Sequence, residues 1–276
     1  RKNALSVRWL REKFQQTLRA LDDDFEQFRL SEGLLTLCTF IWDDFCSWYL
    51  EMIKPEYGQP IDRPTWEATC AVFGDMMIAL HPFMPFITEE LWHSLRERPA
   101  GDDCMMQRYP VAAAATDTVL TSQVEMAKTL ISSVRDLRNQ NQLKPKELLR
   151  VSVQPSASVQ AFFETDGLRE MVEKMAFLES VTFTETAPDN SKSFICGADK
   201  YYVQLNTEID VEAERAKLVK DLEYQRGFER SVTGKLSNER FVAGAPVAVV
   251  EAERKKLADA QARIAIIEET LATLGA

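Results

Sequence analysis

Apolar side chains recur every three to four residues near the start of the chain, at Leu5, Trp9, Leu10, Phe14, Leu18, Leu21, Phe25 and Phe28. That period predicts an amphipathic helix over residues 4–29. Ser31 offers an N-cap for a second helix, "EGLLTLCTFIWDDFCSWYLEMIK", because a serine side chain satisfies an orphan backbone N–H there. This helix is apolar around most of its circumference, with Thr36, Thr39, Asp43, Ser47, Glu51 and Lys54 on one narrow stripe. A helix so patterned is covered on several sides and lies centrally in a bundle. Three prolines and a glycine in "PEYGQPIDRP" (55–64) exclude helix there. A third helix follows over about 64–80, with Trp66, Cys70, Phe73, Met77 and Leu80 on one side. Pro82 and Pro85 interrupt it, and Thr88 is placed to cap a fourth helix, with Glu89 and Glu90 in its first turn. A fifth is predicted over about 118–141, carrying Val124, Ala127, Ile131, Val134 and Leu137. Residues 1–142 thus read as a five-helix bundle.

The period then changes. "LLRVSVQ" (148–154) and "SVTFTE" (180–185) alternate as strands, with one or two short helices between them. "SFICGADKYYVQL" (193–205) reads as a hairpin turning at Gly197–Asp199. Residues 143–206 therefore form a small β-α-β-β domain of α+β type.

From Val211 the pattern becomes heptadic: Val211, Leu218, Gln225 and Val232 are seven apart, as are Leu222, Glu229 and Leu236. After "FVAGAPV" the return segment carries Val250, Leu257, Ile264 and Leu271, with Ala260, Ile267 and Leu274 between them. Two such helices joined by a Gly/Pro turn bury their seams against each other, so residues 207–276 predict an antiparallel coiled-coil hairpin. Folding about Gly244 brings Leu236 beside Val250 or Glu253, Val232 beside Leu257, and Leu222 beside Ile267. Gln225 and Glu229 weaken the middle of the seam unless Tyr224 or Phe228 turns inward. The fold class is mainly α: a bundle, a small connecting domain and a hairpin.

Composition narrows the function classes. No stretch of the 276 residues approaches a transmembrane run, and the opening helix is too charged for a signal peptide. Five cysteines without a CxxC pair fit neither a disulfide framework nor a zinc module, which points to a reducing cytoplasm. Taken alone, the net charge of −10 argues against a nucleic-acid binder, yet three windows are locally basic. Residues 1–19 hold six Lys/Arg against one acid, 126–150 six against two, and 224–256 seven against four. The last window is the distal part of the hairpin, where segregated positive charge suits an arm that meets phosphates.

No catalytic constellation emerges. Glu89 and Glu90 are adjacent and project about 100° apart on a helix, so they cannot flank one substrate bond. His81 and His93, the only histidines, are assigned structural roles rather than metal binding. The glycines form no phosphate loop. Tryptophans and phenylalanines at helical spacing in the first 92 residues read as core.

Three motifs in order, "IWDDFCSWYLEMIKP" (41–55), "LHPFMPFITEELW" (80–92) and "KLSNERFVAGAP" (235–246), resemble the C-terminal part of bacterial valyl-tRNA synthetases, and the resemblance spans essentially the whole chain. The first two are similar to the helical anticodon-binding domain shared by the valyl, isoleucyl and leucyl enzymes of class I. The hairpin selects the valyl branch, since isoleucyl enzymes commonly end in a cysteine-ligated zinc module and leucyl enzymes lack the hairpin. The resemblance implies that valine tRNA is the partner, with the bundle receiving the anticodon stem-loop and the arm packing against the outer corner of the tRNA. It implies ATP and Mg2+ for the parent enzyme and no cofactor for these residues, because the HIGH- and KMSKS-type signatures are absent. Partnership with the parent's own catalytic and editing domains, a monomeric state and a cytoplasmic location are further expectations.

Candidate phosphate or corner contacts on the arm are Arg226, Arg230, Lys235, Arg240, Arg254, Lys255 and Lys256. On the bundle they are Arg8, Arg11, Lys13, Arg135 and Arg138. The competing reading is a non-catalytic helical scaffold whose hairpin binds a protein.

Overall fold

The computed structural model describes residues 3–205, 211–238, 244 and 246–273. The chain folds into two compact units: Arg1–Glu147 with Ala157–Leu178, and Leu148–Ser156 with Glu179–Ala276.

The first unit is built on α1 (Ala4–Glu26), whose Trp9, Leu10, Phe14, Leu18 and Leu21 are almost wholly buried. Around it pack α2 (Leu30–Thr39), a π-helical stretch (Phe40–Tyr49) that runs on into α3 (Leu50–Ile53), α4 (Arg63–Leu80) and α6 (Thr118–Gln140). The predicted second helix is thus real but not uniformly α. The wider π turn moves the register, so Asp44 faces inward while Trp42 is 69% exposed. Ser31 does not cap α2: the helix begins one residue before it, with Arg29 at the N-cap and no side-chain cap bond.

Asp62 caps α4 instead, its carboxylate accepting from Thr65 N at 3.0 Å, with Pro64 in the first turn. The helix α5 (Pro85–Leu95) starts at the second proline of the joint, so Thr88 is not its N-cap. Thr88 lies fully buried and its hydroxyl donates back to Met84 O at 2.8 Å. Glu89 likewise lies beyond the first turn and serves another element, accepting from Cys104 N (2.7 Å) and Met105 N (3.2 Å) of a short 3-10 turn, Cys104–Met106. Trp92 is buried, as its reading as core expects, whereas Phe86 is 90% exposed. Gly74 on α4 makes room for that indole, since a Cβ there would sit 3.3 Å from Trp92 Cζ3. Two short helices, α7 (Ala157–Glu164) and α8 (Leu168–Ala176), complete the unit.

The second unit holds a four-stranded sheet in the order β2-β1-β4-β3, from β1 (Leu149–Val153), β2 (Leu178–Phe183), β3 (Ser191–Cys196) and β4 (Asp199–Gln204). β4 pairs antiparallel with both β1 and β3. Arg150 meets Glu179 and Ser152 meets Thr182, numbers rising together, so β1 and β2 run parallel. Parallel neighbours need a long crossover, which is why two helices separate them in sequence. Val151, Val153, Val181, Tyr201 and Val203 are buried.

The helices α9 (Val211–Leu236) and α10 (Val247–Thr273) pack along each other. Lys235 pairs with Glu253 (3.7 Å), Gln261 donates to Glu229 (3.0 Å) and Arg226 to Glu268 (2.7 Å). Partner numbers fall as α9 numbers rise, so the arms are antiparallel, in the register the heptads predict. With 26 and 27 residues, each arm is about 40 Å long at about 1.5 Å per residue. Tyr224 and Phe228 do not turn inward; both are exposed, while Gln225 and Glu229 are half-buried at the seam.

Candidate nucleic-acid interface

The seven arm cations divide by what surrounds them. Arg240 lies outside the described residues. Arg226, Arg230 and Arg254 occupy one flank of the seam by heptad position, and Lys235 and Lys256 the other. On the lysine flank, both ammonium groups converge on Glu253, at 3.7 Å for Lys235 and 2.6 Å for Lys256. Glu253 is itself a buried seam residue, and its hydrogen bond from Lys256, against a smaller desolvation cost, holds its carboxyl below the usual range.

On the other flank, Arg226 pairs with Glu268 at 2.7 Å and its carbonyl accepts from Arg230 Nε at 3.2 Å. Arg254 and Lys255 are exposed and make no ion pair with another described residue. Arg230, Arg254 and Lys255 are therefore the cations whose charge the arm leaves least neutralised among the described candidates. Arg215, Lys220 and Arg263 are also exposed on the arm. They lie outside the distal basic window that singles out the other seven, although the positions of Lys220 and Arg263 off the seam are legible in the heptads.

The base of the arm is tied to the sheet: Lys200 on β4 pairs with Glu269 at 2.8 Å, and Ser193 on β3 meets Thr270 at 3.3 Å. Surface pairs of this kind contribute little singly, but they fix the end of the arm opposite the basic tip.

The five bundle candidates do not form one patch. Arg8 is exposed and pairs loosely with Asp117 at 3.4 Å. Arg11 is exposed, and its charge partly offsets the burial that pushes the Asp75 carboxyl up. Lys13 turns inward to Asp44 (3.5 Å) and Glu125 (3.7 Å), a group that Lys128 joins at 3.1 Å from Asp44. Arg135 donates to Met175 O at 2.9 Å and lies over the Trp48 ring.

Arg138 is 4% exposed, and its guanidinium donates to the carbonyls of Lys144, Glu147, Ala176 and Phe177. Burial lowers its pKa below the ordinary arginine value, but the carbonyl fork gives the cation its solvation back. This arginine fastens the end of α6 to the end of α8. Sequence shows a basic window here; only the fold shows which cations in it are already committed.

The expectation that the early aromatics are core holds for Trp9 and Trp92 and fails for Trp42, Trp66, Phe28 and Phe86, all more than half exposed. Flat apolar rings open to solvent are platforms on which unstacked bases rest. No helix among the described residues is long and apolar enough to cross a membrane.

Comparison with known proteins agrees with this geometry. The family model for the anticodon-binding domain of tRNA ligases matches residues 7–153, and that for the valyl tRNA synthetase tRNA-binding arm matches residues 210–275. The chain is 40% identical over 270 residues to a valine–tRNA ligase of Phocaeicola vulgatus and 41% over 272 residues to one of Bacteroides thetaiotaomicron. It is 32% identical over 276 residues to one of Thermosynechococcus vestitus. Each match covers 98% of this chain and 30% of the relative, so the chain spans about a third of the length of the curated relatives it matches. With a helical bundle where the first model falls and an antiparallel arm where the second does, the chain belongs to the anticodon-binding-domain family of tRNA ligases and carries the tRNA-binding arm of its valyl branch.

Proposed function

We propose that these residues hold valine tRNA for ATP-dependent aminoacylation by a catalytic domain elsewhere in a longer valine–tRNA ligase. In this reading residues 1–142 receive the anticodon stem-loop, 143–206 connect, and 207–276 brace the outer corner of the tRNA. ATP and Mg2+ act in the catalytic domain, and the protein works as a cytoplasmic monomer alongside its own catalytic and editing domains.

The observation that carries the reading is the arm: a hairpin anchored at its base, with Arg230, Arg254 and Lys255 exposed toward the other end. A structured RNA corner is recognised mainly through backbone and shape, and phosphate contacts need cations not already neutralised. Arg226, Lys235 and Lys256 keep carboxylate partners and act as secondary contacts. Arg8 and Arg11 are exposed cations on the bundle, and Trp42 offers a stacking surface on the same unit.

The test is a salt titration of the 276-residue chain with valine tRNA and isoleucine tRNA, compared with the triple variant R230Q/R254Q/K255Q. Affinity falls with salt, and the variant shows a shallower slope, by about 0.7–0.9 for each phosphate that is no longer neutralised. A comparable loss for both tRNAs marks the arm as a general handle. Unchanged affinity and slope would favour the scaffold reading, in which the hairpin binds a protein.

A further inference from the structure

We propose that Glu89, His93 and Asp103 form a binding site for a divalent transition-metal ion of the zinc class, a role independent of tRNA binding. Glu89 and His93 are four apart on α5 and so share one helix face, and Asp103 reaches them from the loop just before the Cys104–Met106 turn. His93 Nε2 lies 3.2 Å from Glu89 Oε1 and 3.1 Å from Asp103 Oδ1. One ligand atom from each residue lies within 4.8 Å of the other two. Ligands bound at about 2.0–2.2 Å in tetrahedral geometry stand roughly 3.4 Å apart, so these donors need only small shifts to close on one ion.

The site is also oriented from outside. Glu89 accepts backbone N–H bonds from Cys104 (2.7 Å) and Met105 (3.2 Å), which fix the carboxylate on the same turn that follows Asp103. Hydrogen bonds of this outer kind set the direction of a ligand and leave a lone pair for the ion. Beside the triad is a depression of about 410 Å³, lined by His81, Glu90 and Met105 among others, with space for waters to complete the coordination. One imidazole with two carboxylates favours zinc and its neighbours over magnesium and calcium, which take oxygen ligands. The two carboxylates flanking the imidazole supply negative charge that a dication neutralises. The bound ion would tie α5 to the following loop.

The alternative is that His93 simply bridges the two carboxylates as an ion pair. Calorimetric titration of the untagged 276-residue chain with Zn2+ at pH 7.5 separates the two, alongside the visible absorption of added Co2+ and thermal melting with and without Zn2+. The site predicts one saturable Zn2+, a Co2+ band, a raised Tm, and no equivalent effect of Mg2+. In His93→Gln and Asp103→Asn, where both side chains are partly open to solvent, Zn2+ affinity falls by more than about 10-fold. The cysteines remain in both variants, so an ion held by thiols would bind them as tightly as the wild type. That result, or the absence of saturable binding, overturns the proposal.

Discussion

At the residue scale, Arg138 shows how a cation from a basic window becomes part of the frame. Its guanidinium meets four carbonyls, two past the end of α6 and two at the end of α8. A planar fork can do this and an ammonium cannot, so Arg138→Lys removes most of the bonds while keeping the charge. Leaving buried carbonyls unmatched costs about 1–3 kcal/mol for each group that finds no water. Arg138→Ala is therefore expected to lower unfolding stability by about 3–5 kcal/mol, and Arg138→Lys by somewhat less, both read from the urea midpoint. Arg8→Gln, at an exposed and loosely paired position, moves the same midpoint by less than about 0.5 kcal/mol. All three changes fall on cations, Arg138 and Arg8, that the sequence alone ranks equally.

At the element scale, the helices, the strands and the antiparallel arm are legible in the sequence because each is written in a period that one face of burial enforces. What sequence does not show is where side chains go once elements meet. Thr88 and Glu89 match a helix-start pattern, yet Pro85 opens α5, which frees Glu89 to cap the Cys104 turn. The π stretch leaves no periodic signature strong enough to separate it from an α-helix, and it places Asp44 beside Lys13 and Lys128. Asp62 is a cap that does form, with bonds from the Thr65 hydroxyl and backbone that hold its carboxyl below the usual range. A carboxyl depressed on folding stabilises above its unfolded pKa, and the contribution disappears as pH falls through the depressed value. Asp62→Ala is expected to cost about 1 kcal/mol at pH 7, and wild type and variant converge in acid, as measured by melts from pH 7 downward. The arm gives a second element-scale prediction. Gln225 and Glu229 occupy seam positions, and Glu229 is met by Gln261 at 3.0 Å. Replacing Gln225 by Leu at this half-buried site raises arm stability by about 1 kcal/mol. Glu229→Leu alone gains less, because Gln261 loses its acceptor.

At the scale of the whole molecule, the proposed function asks a chain of net charge −10 to hold a polyanion. The arm meets that demand by placing acids and bases differently along its length. Glu268 and Glu269 lie near its base, where Glu269 is spent on the sheet, while Arg254 and Lys255 lie toward the turn. Acidic surface repels phosphate, so encounter is favoured where exposed cations lead. That division predicts different salt dependences for two charge changes. Neutralising the basic end with R254Q/K255Q weakens valine tRNA binding most at low salt, because exposed charges act within about 10 Å at 0.1 M salt. Glu269→Gln removes an acid and leaves Lys200 without its carboxylate at the base. On charge alone it would tighten binding; if holding the base matters more, binding weakens despite the added positive charge. Association rates measured at two salt concentrations tell these apart, since a change in overall charge alters the on-rate and fades with salt. A loss of anchoring persists at high salt and raises the off-rate. We expect the persistent loss for Glu269→Gln, because an arm about 40 Å long turns a small angular freedom at its base into a displacement of several ångströms at its tip.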